Sequence, residues 1–343
     1  MNQQDTTVFS SPGVHGAQVR EVAAELQRVI VGQERVLERV LVALLAGGHC
    51  LLEGVPGLGK TLTVSTLAGT LGGTFTRIQF TPDLLPSDIV GTRIYRPSQE
   101  NFDVELGPVF ANFVLADEIN RAPAKVQSAL LEVMAERQVS LGGTTYKLPA
   151  PFLVLATQNP IESEGVYPLP EAQRDRFLMR IPVDYPTARD EHEIVERSTT
   201  RWATPEPILS TEDVAGLQQA ANEIFVDKAV QDYAIRLVLA TRNPSEHGVA
   251  INGLLAYGAS PRASIGLVSA GRALALLRGR DHVLPQDVYD IAYDVLNHRL
   301  VLSFDAVADG IGVDDVLLEV LTTVVAPRMS TSQLIGSRSS LVG

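Results

Sequence analysis

The sequence contains little cysteine and no long apolar run. Cys50 is the one cysteine among 343 residues, so no disulfide can form within the chain, and this usage is typical of a reducing compartment. The longest nearly unbroken apolar run, residues 40–52, contains His49 and is shorter than the roughly 20 residues of a membrane span. The first residues, MNQQDTTVFSSPG, lack the basic start and apolar stretch of a secretory signal. These absences predict a soluble, cytoplasmic protein.

Positive charge is also scarce. The chain has 28 basic and 40 acidic side chains, which gives a net charge of -12. The average surface of such a protein repels phosphate. The composition therefore argues against a nucleic-acid partner held by bulk electrostatics. It does not exclude a local basic channel.

What the chain does have is an ordinary globular composition, with 45% hydrophobic and 20% charged residues. This excludes a largely disordered chain, and the length indicates two domains. The sequence pattern changes near residue 188, because short apolar runs alternate with helical patterns before it and helical patterns dominate after it. We predict four segments: a loose tail at 1–16, an α/β domain at 17–188, a helical domain at 189–326 and a loose tail at 327–343.

Five short apolar or alternating runs in the first domain are typical of strands. They cover residues 49–53, 74–80, 113–116, 152–156 and 177–183. Because helical patterns separate them, the fold class is α/β with a parallel sheet and right-handed crossovers. Residues 91–105 and 139–148 fit hairpins better, the second with Gly142-Gly143 at its turn.

The strongest motif is GVPGLGKT, which matches the phosphate-loop pattern G-x-x-x-x-G-K-[ST] between a predicted strand and a predicted helix. Glycines let backbone N–H groups turn toward phosphates, lysine reaches the β- and γ-phosphates, and threonine ligates Mg²⁺. The alternative is a glycine-rich turn without a ligand. The motif predicts a site for ATP and Mg²⁺ formed by Gly54, Val55, Pro56, Gly57, Leu58, Gly59, Lys60, Thr61 and Leu62.

Two later strand ends carry polar residues that such a site needs. The run 113–116 ends in Asp117 and Glu118, at the sheet edge where ligands bind in open α/β folds. Asp117 would hold Mg²⁺ together with Thr61, and Glu118 would orient and polarise the attacking water. The next strand ends near Asn159, whose amide could position that water; a turn-forming asparagine before proline is the alternative reading.

These motifs occur in the order and spacing of AAA+ ATPases. The sequences of five segments resemble those of the MoxR family in particular, and the resemblance covers about residues 17–326. The segments are GVPGLGKT, QFTPDLLPSDIVGT, GPVFANFVLADEINRAPAKVQSALLEVMAERQV, ATQNPIESEGVYPLPEAQRDRF and GASPRA. The resemblance implies an AAA+ P-loop NTPase core followed by a small helical lid.

The resemblance also assigns roles that spacing alone does not. Asn159 matches the sensor-1 residue and Arg262 the sensor-2 arginine of the lid. Arg176 matches the arginine finger, which reaches the γ-phosphate of a neighbouring subunit. Position 174 carries a second arginine where related sequences more often have an apolar residue, so Arg174 stays open as an alternative finger.

Further segments gain an assignment in the same way. Val31, Gly32 and Gln33 match the segment that borders the adenine. The stretch 91–105 resembles the helix-2 insert, and 139–148 resembles the pre-sensor-1 hairpin.

The function implied by the resemblance is ATP hydrolysis in a ring-forming homo-oligomer, a hexamer, that remodels a protein client. The nucleotide would lie between the α/β domain and the lid. A partner with a von Willebrand factor A domain and a role in maturing or inserting metals into enzymes are implied as well. Two alternatives stay open: a DNA-translocating motor, and a nucleotide-dependent scaffold with little turnover.

Overall fold

The computed structural model describes residues 12–55, 57–97, 100–159, 165–199 and 203–328. Pro56 of the predicted phosphate loop and the predicted tail from Met329 onward lie outside the described residues. The first part of the fold is built from nine strands within these ranges. They are β1 (Cys50–Glu53), β2 (Phe75–Gln79), β3 (Gly91–Arg96), β4 (Asn101–Leu106), β5 (Phe113–Asp117), β6 (Gln138–Leu141), β7 (Thr144–Lys147), β8 (Leu153–Gln158) and β9 (Met179–Pro182).

Helices precede and separate these strands. They are α1 (Pro12–Val29), α2 (Glu34–Leu45), α3 (Lys60–Thr70), α4 (Pro86–Val90), α5 (Ala124–Glu136) and α6 (Glu171–Arg174). The predicted loose tail at 1–16 is wrong for its last five residues, because α1 already begins at Pro12. This helix forms because Val19, Val22, Leu26 and Val29 fall on one face and are buried.

The predicted parallel sheet is confirmed. Five strands pair in the order β2-β5-β8-β1-β9, and all the pairs are parallel. Both predicted hairpins are present as antiparallel pairs, β3 with β4 and β6 with β7. Gly142 and Gly143 have φ values of 59° and 86° at the second turn, a conformation that glycine adopts without strain.

The sheet is buried on both faces, as the continuous apolar runs require. Phe113 and Leu115 of β5 face one hydrophobic cluster, and Val114 and Ala116 face the other. This alternation follows from the two-residue period of a strand.

The chain after β9 is mostly helical. It contains α7 (Ala188–Thr199), α8 (Thr211–Glu223), α9 (Lys228–Ala240), α10 (Pro261–Leu277), α11 (Pro285–Leu296), α12 (Phe304–Ala308) and α13 (Val313–Thr323), with a small sheet of β10 (Leu255–Tyr257) and β11 (Val301–Leu302). Within the described ranges, no helix is both long and apolar enough to span a membrane.

The two halves of the chain share a core. Helix α10 packs against α1 and α2 of the first half as well as α8, α9 and α11 of its own half. Buried Asp294 of α11 accepts hydrogen bonds from Arg35 (2.5 Å) and Arg39 (2.8 Å) of α2. The helical half is therefore fixed to the first half by both apolar packing and buried ion pairs.

His49, just before β1, gives the core a pH dependence. The backbone N–H of Val154 donates to its Nδ1 (3.0 Å), so Nε2 carries the proton and donates to the carbonyl of Met134 (3.2 Å). Burial lowers the pKa of His49 from 6.5 to about 4. The unfolded chain therefore binds more protons than the folded chain below pH 6.5, and stability is lost as pH falls from there toward 4.

We expect the free energy of unfolding to fall by about 2 kcal/mol from this residue between pH 7.5 and pH 5. Urea unfolding at the two pH values measures it. His49→Asn should reduce the pH dependence, since an amide does not titrate. The matched control His192→Asn changes an exposed histidine and should retain the pH dependence. An unchanged pH dependence in His49→Asn would contradict the assignment.

Candidate functional site

The phosphate loop joins β1 to α3. Gly57 and Gly59 have φ values of 88° and 73°, which side chains with a Cβ adopt only under strain. A Cβ on Gly54 would lie 2.5 Å from the carbonyl oxygen of Val183, so only glycine fits there. The motif's glycines are thus required by the turn that opens α3 toward an anion.

Lys60 lies at the first turn of α3, and its ammonium group donates to the carbonyl of Gly54. Partial burial lowers its pKa, while the carboxylates of Asp117, Glu118 and Glu53 act in the opposite direction. A partly desolvated cation in this position favours a bound phosphate.

The two predicted acids meet at the end of β5. Thr157 of β8 donates its hydroxyl proton to Asp117 Oδ1 (2.6 Å), and the backbone N–H of Glu118 donates to the same hydroxyl (2.8 Å). Glu118 has a φ of 56°, in the left-handed region, so the chain turns sharply after Asp117. Because of this turn the two carboxylates contact different residues: Asp117 accepts from Thr157, and Glu118 accepts from Gln79.

Strand β2 supplies residues that the sequence analysis did not identify. Arg77 donates to Asp117 Oδ2 from Nε (3.0 Å) and Nη2 (2.6 Å), and Gln79 donates to Glu118 Oε2 (2.8 Å). Arg121 also pairs with Glu118. The register explains these contacts, since Gln79 lies opposite Asp117 in the parallel pair. The alternation of β2 is the sequence pattern that could have revealed them.

The phosphate loop and the ends of β5 and β8 line one cavity of about 220 Å³, here called the phosphate cavity. Its walls include Gly57, Lys60, Thr61, Asp117, Glu118 and Asn159. Asn159 is buried, and its carbonyl accepts a hydrogen bond from Asn120 (3.4 Å). The predicted phosphate loop and the two predicted strand ends are therefore brought together in space.

The segment Val31–Gln33 lies beside the phosphate loop. Gly32 and Gln33 have φ values of 66° and 59°, and the Gln33 side chain donates to the carbonyl of Leu58 (2.7 Å). This bond ties the predicted adenine-bordering segment to the loop that would hold the phosphates.

Arg176 and Arg262 lie elsewhere. Together with Arg137 and Arg299 they line a second cavity of about 260 Å³, here called the arginine cleft. The two cavities share no lining residue in the described part of the chain. The phosphate cavity is lined by the first domain, and the expectation that the whole nucleotide lies between the two domains stays a prediction.

The two candidate fingers differ in their surroundings. Arg174 pairs with Glu171 at 3.6 Å, three residues earlier on α6. Arg176 is exposed, and its guanidinium donates to the carbonyl of Leu131 (2.9 Å). The following Phe177 is fully buried and anchors the segment next to β9.

Mg²⁺ is the metal ion that the sequence predicts for this site. No group of three or more histidine, cysteine, aspartate or glutamate side chains in the described ranges is arranged to hold a metal. Mg²⁺ in phosphate sites needs only one or two protein ligands, because waters and phosphate oxygens complete its shell. The Thr61 hydroxyl and the Asp117 carboxylate, both on the phosphate cavity, fit that requirement.

A glycine loop between β1 and α3, acids at the end of β5 and a helical lid define an AAA-type P-loop ATPase. Residues 49–179 match the family described as "ATPase family associated with various cellular activities (AAA)", and residues 250–320 match the AAA lid domain. The chain belongs to the MoxR family of these ATPases.

Three relatives illustrate this membership. Chaperone MoxR1 of Mycobacterium tuberculosis is 60% identical over 307 residues, which is 89% of this chain and 81% of the relative. Protein MoxR of Paracoccus denitrificans is 36% identical over 84% of this chain and 89% of its own. A crystal structure from Cytophaga hutchinsonii, assigned as an ATPase, superposes with a TM-score of 0.87 at 48% identity, covering 92% of this chain and 97% of the other.

Proposed function

We propose that this ATPase works as a ring of identical subunits, with each ATP bound by one subunit and contacted by arginines of the next. The separation of the phosphate cavity from the arginine cleft carries the proposal. Arg176 and Arg262 line the cleft of one subunit, whereas Lys60 and Glu118 line its phosphate cavity. A site divided in this way is completed only when a second copy of the chain supplies the arginines.

Each residue of the phosphate cavity would have its own role in the reaction. Lys60 and the loop N–H groups would bind the β- and γ-phosphates, and Glu118 would accept the proton of the attacking water. Asn159 would hold that water or the γ-phosphate. Thr61 and Asp117 would hold Mg²⁺, which neutralises charge on the phosphate oxygens when it is bound.

Arg176 and Arg262 would stabilise the charge that develops on the transferred phosphate, acting on the neighbouring subunit. They are 86 positions apart in sequence. The Arg262 guanidinium lies 3.5 Å from the carboxylate of Asp175, the residue that directly precedes Arg176. Val31, Gly32 and Gln33 would border the adenine, next to the loop.

The proposed use of this activity is remodelling of a protein client, because a relative with 60% identity is named a chaperone. We extend the proposal to a hexamer, to a partner with a von Willebrand factor A domain and to metal insertion into client enzymes. The proposed compartment is the cytoplasm, where the substrate ATP is available.

Assembly gives a direct test. The mass of Glu118→Gln, measured by light scattering at tens of micromolar, should rise to that of a ring with ATP and fall with ADP, because ATP adds contacts across the interface. Lys60→Ala is the matched control and should not respond to ATP. A mass that stays monomeric with saturating ATP would contradict the proposed ring.

The alternative functions are separated by turnover assays. Stimulation of ATPase activity by single-stranded DNA, rather than by a partner protein, would favour a translocating motor. An assembled ring that binds ATP without measurable turnover would favour a scaffold.

A further inference from the structure

The carboxyl end of α11 runs along the backbone of the segment that carries Arg176. Asn297 donates to the carbonyl of Arg180 (3.0 Å), and His298 Nε2 is 3.1 Å from the carbonyl of Phe177. Burial lowers the pKa of His298 well below its usual value. His298 is therefore neutral, and its Nε2–H donates to Phe177. The lid thus contacts the first domain at the proposed finger.

Arg299 makes most of these contacts. Its guanidinium donates to Asp175 Oδ1 (2.9 Å) and to the carbonyls of Phe177 (2.6 Å) and Leu178 (3.1 Å). It also donates to the carbonyl of Val295 in the last turn of α11. Only 8% of Arg299 is exposed. A buried guanidinium that donates to several carbonyls fixes their positions through its rigid planar fork.

Asp175 is held by the lid from a second direction. The hydroxyl of Ser260, which caps α10, lies 2.9 Å from both carboxylate oxygens of Asp175. The residues before and after Arg176 are therefore bonded to the lid, while the Arg176 side chain stays exposed. Arg176 is therefore held through its neighbours in the chain, in addition to the hydrogen bond of its guanidinium to the carbonyl of Leu131.

We propose that Arg299 is a positioning residue for Arg176. It links the orientation of the lid in one subunit to the placement of the guanidinium that reaches the next subunit's ATP. This inference rests on the proposed function of Arg176 in trans. Loss of the planar fork should shift the Arg176 guanidinium from its position. A misplacement of about 1 Å can lower the rate about 10²-fold.

The expected result concerns Arg299→Lys, which keeps the charge that Asp175 needs but loses the fork. Its kcat should fall about 10- to 100-fold, while binding of a fluorescent ATP analogue and KM stay within about twofold, because the phosphate cavity is untouched. The matched control is Arg280→Lys. Arg280 is another lid arginine, and its hydrogen bonds go to Asp287 and His282. It should keep the wild-type kcat.

Mixing of subunits distinguishes positioning from a general structural effect. Arg299→Lys retains a working phosphate cavity, and Lys60→Ala retains a well-placed finger, so mixed rings of the two should recover hydrolysis. Mixed rings of Arg299→Lys and Arg176→Ala should recover none, since neither subunit offers a placed finger. Asp175→Asn, which weakens the same anchor, provides the test if Arg299→Lys does not fold by circular dichroism.

Two results would overturn the inference in different ways. If Arg176→Ala is rescued by Lys60→Ala but Arg299→Lys either keeps the wild-type kcat or is not rescued, the positioning role is wrong and the proposed function stands. If Arg176→Ala is not rescued although mixed rings form, the trans function fails and the positioning role fails with it.

Discussion

Glu118→Gln should slow ATP hydrolysis by about 10²- to 10⁴-fold while leaving ATP binding intact, because loss of a positioned general base costs this much. The substitution keeps the shape of the side chain, and its amide oxygen can still accept hydrogen bonds from Gln79 and Arg121, the two partners of Glu118. It removes the ability to accept the proton of the attacking water. Steady-state phosphate release and titration of a fluorescent ATP analogue measure the two properties separately.

Two variants control this prediction. Glu132→Gln changes an exposed carboxylate on α5 and should leave both turnover and binding unchanged. Lys60→Ala should lose nucleotide binding, because it removes the cation of the phosphate loop. Turnover of Glu118→Gln within a few-fold of wild type would place the base elsewhere, and wild-type affinity in Lys60→Ala would refute the phosphate-loop assignment.

Arg176→Ala should lower turnover by about 10³- to 10⁵-fold, the range that an arginine finger contributes. ATP binding should persist, because Arg176 does not line the phosphate cavity of its own subunit. Arg174→Ala is the matched control within the same segment. Arg174 pairs with the exposed Glu171 on α6 at 3.6 Å. Such a solvent-accessible pair contributes little energy, so its loss should change turnover far less.

The trans character of the finger is tested by mixing two inactive variants. Arg176→Ala keeps an intact phosphate cavity, and Lys60→Ala keeps an intact finger. Mixed rings should hydrolyse ATP at the interfaces where the intact cavity meets the intact finger. If mixing restores nothing although mixed rings form, and Arg174→Ala is the inactive variant, then Arg174 is the finger.

Most of the first domain could be predicted from local patterns. Residues 113–116 form a strand because both of its faces are covered, and such a strand has a continuous apolar run whatever its neighbours are. The start of α1 was predicted less well. Its first turn begins with proline and glycine, which do not favour a helix interior. The burial that stabilises α1 comes from contacts with distant helices such as α10.

The site was predicted only in part for a related reason. The sequence identified Lys60, Asp117 and Glu118, since each belongs to a short motif with its own chemistry. It did not identify Arg77 or Gln79, whose contacts with the acids depend on the pairing of β2 with β5. Residues 39 or 40 positions apart meet there. The alternation of β2 indicates that Arg77 and Gln79 share a face, but it does not encode the register of β2 with β5.

The sequence by itself determined the phosphate loop, the acids after β5 and the strand and helix alternation, because these follow from residue type and spacing along one segment. Only the tertiary structure decided that Arg262 lies with Arg176 in the arginine cleft, and that Arg299 binds the backbone next to Arg176. Their positions depend on how the lid packs against the sheet domain. That packing comes from many buried contacts between distant segments, which jointly select one arrangement.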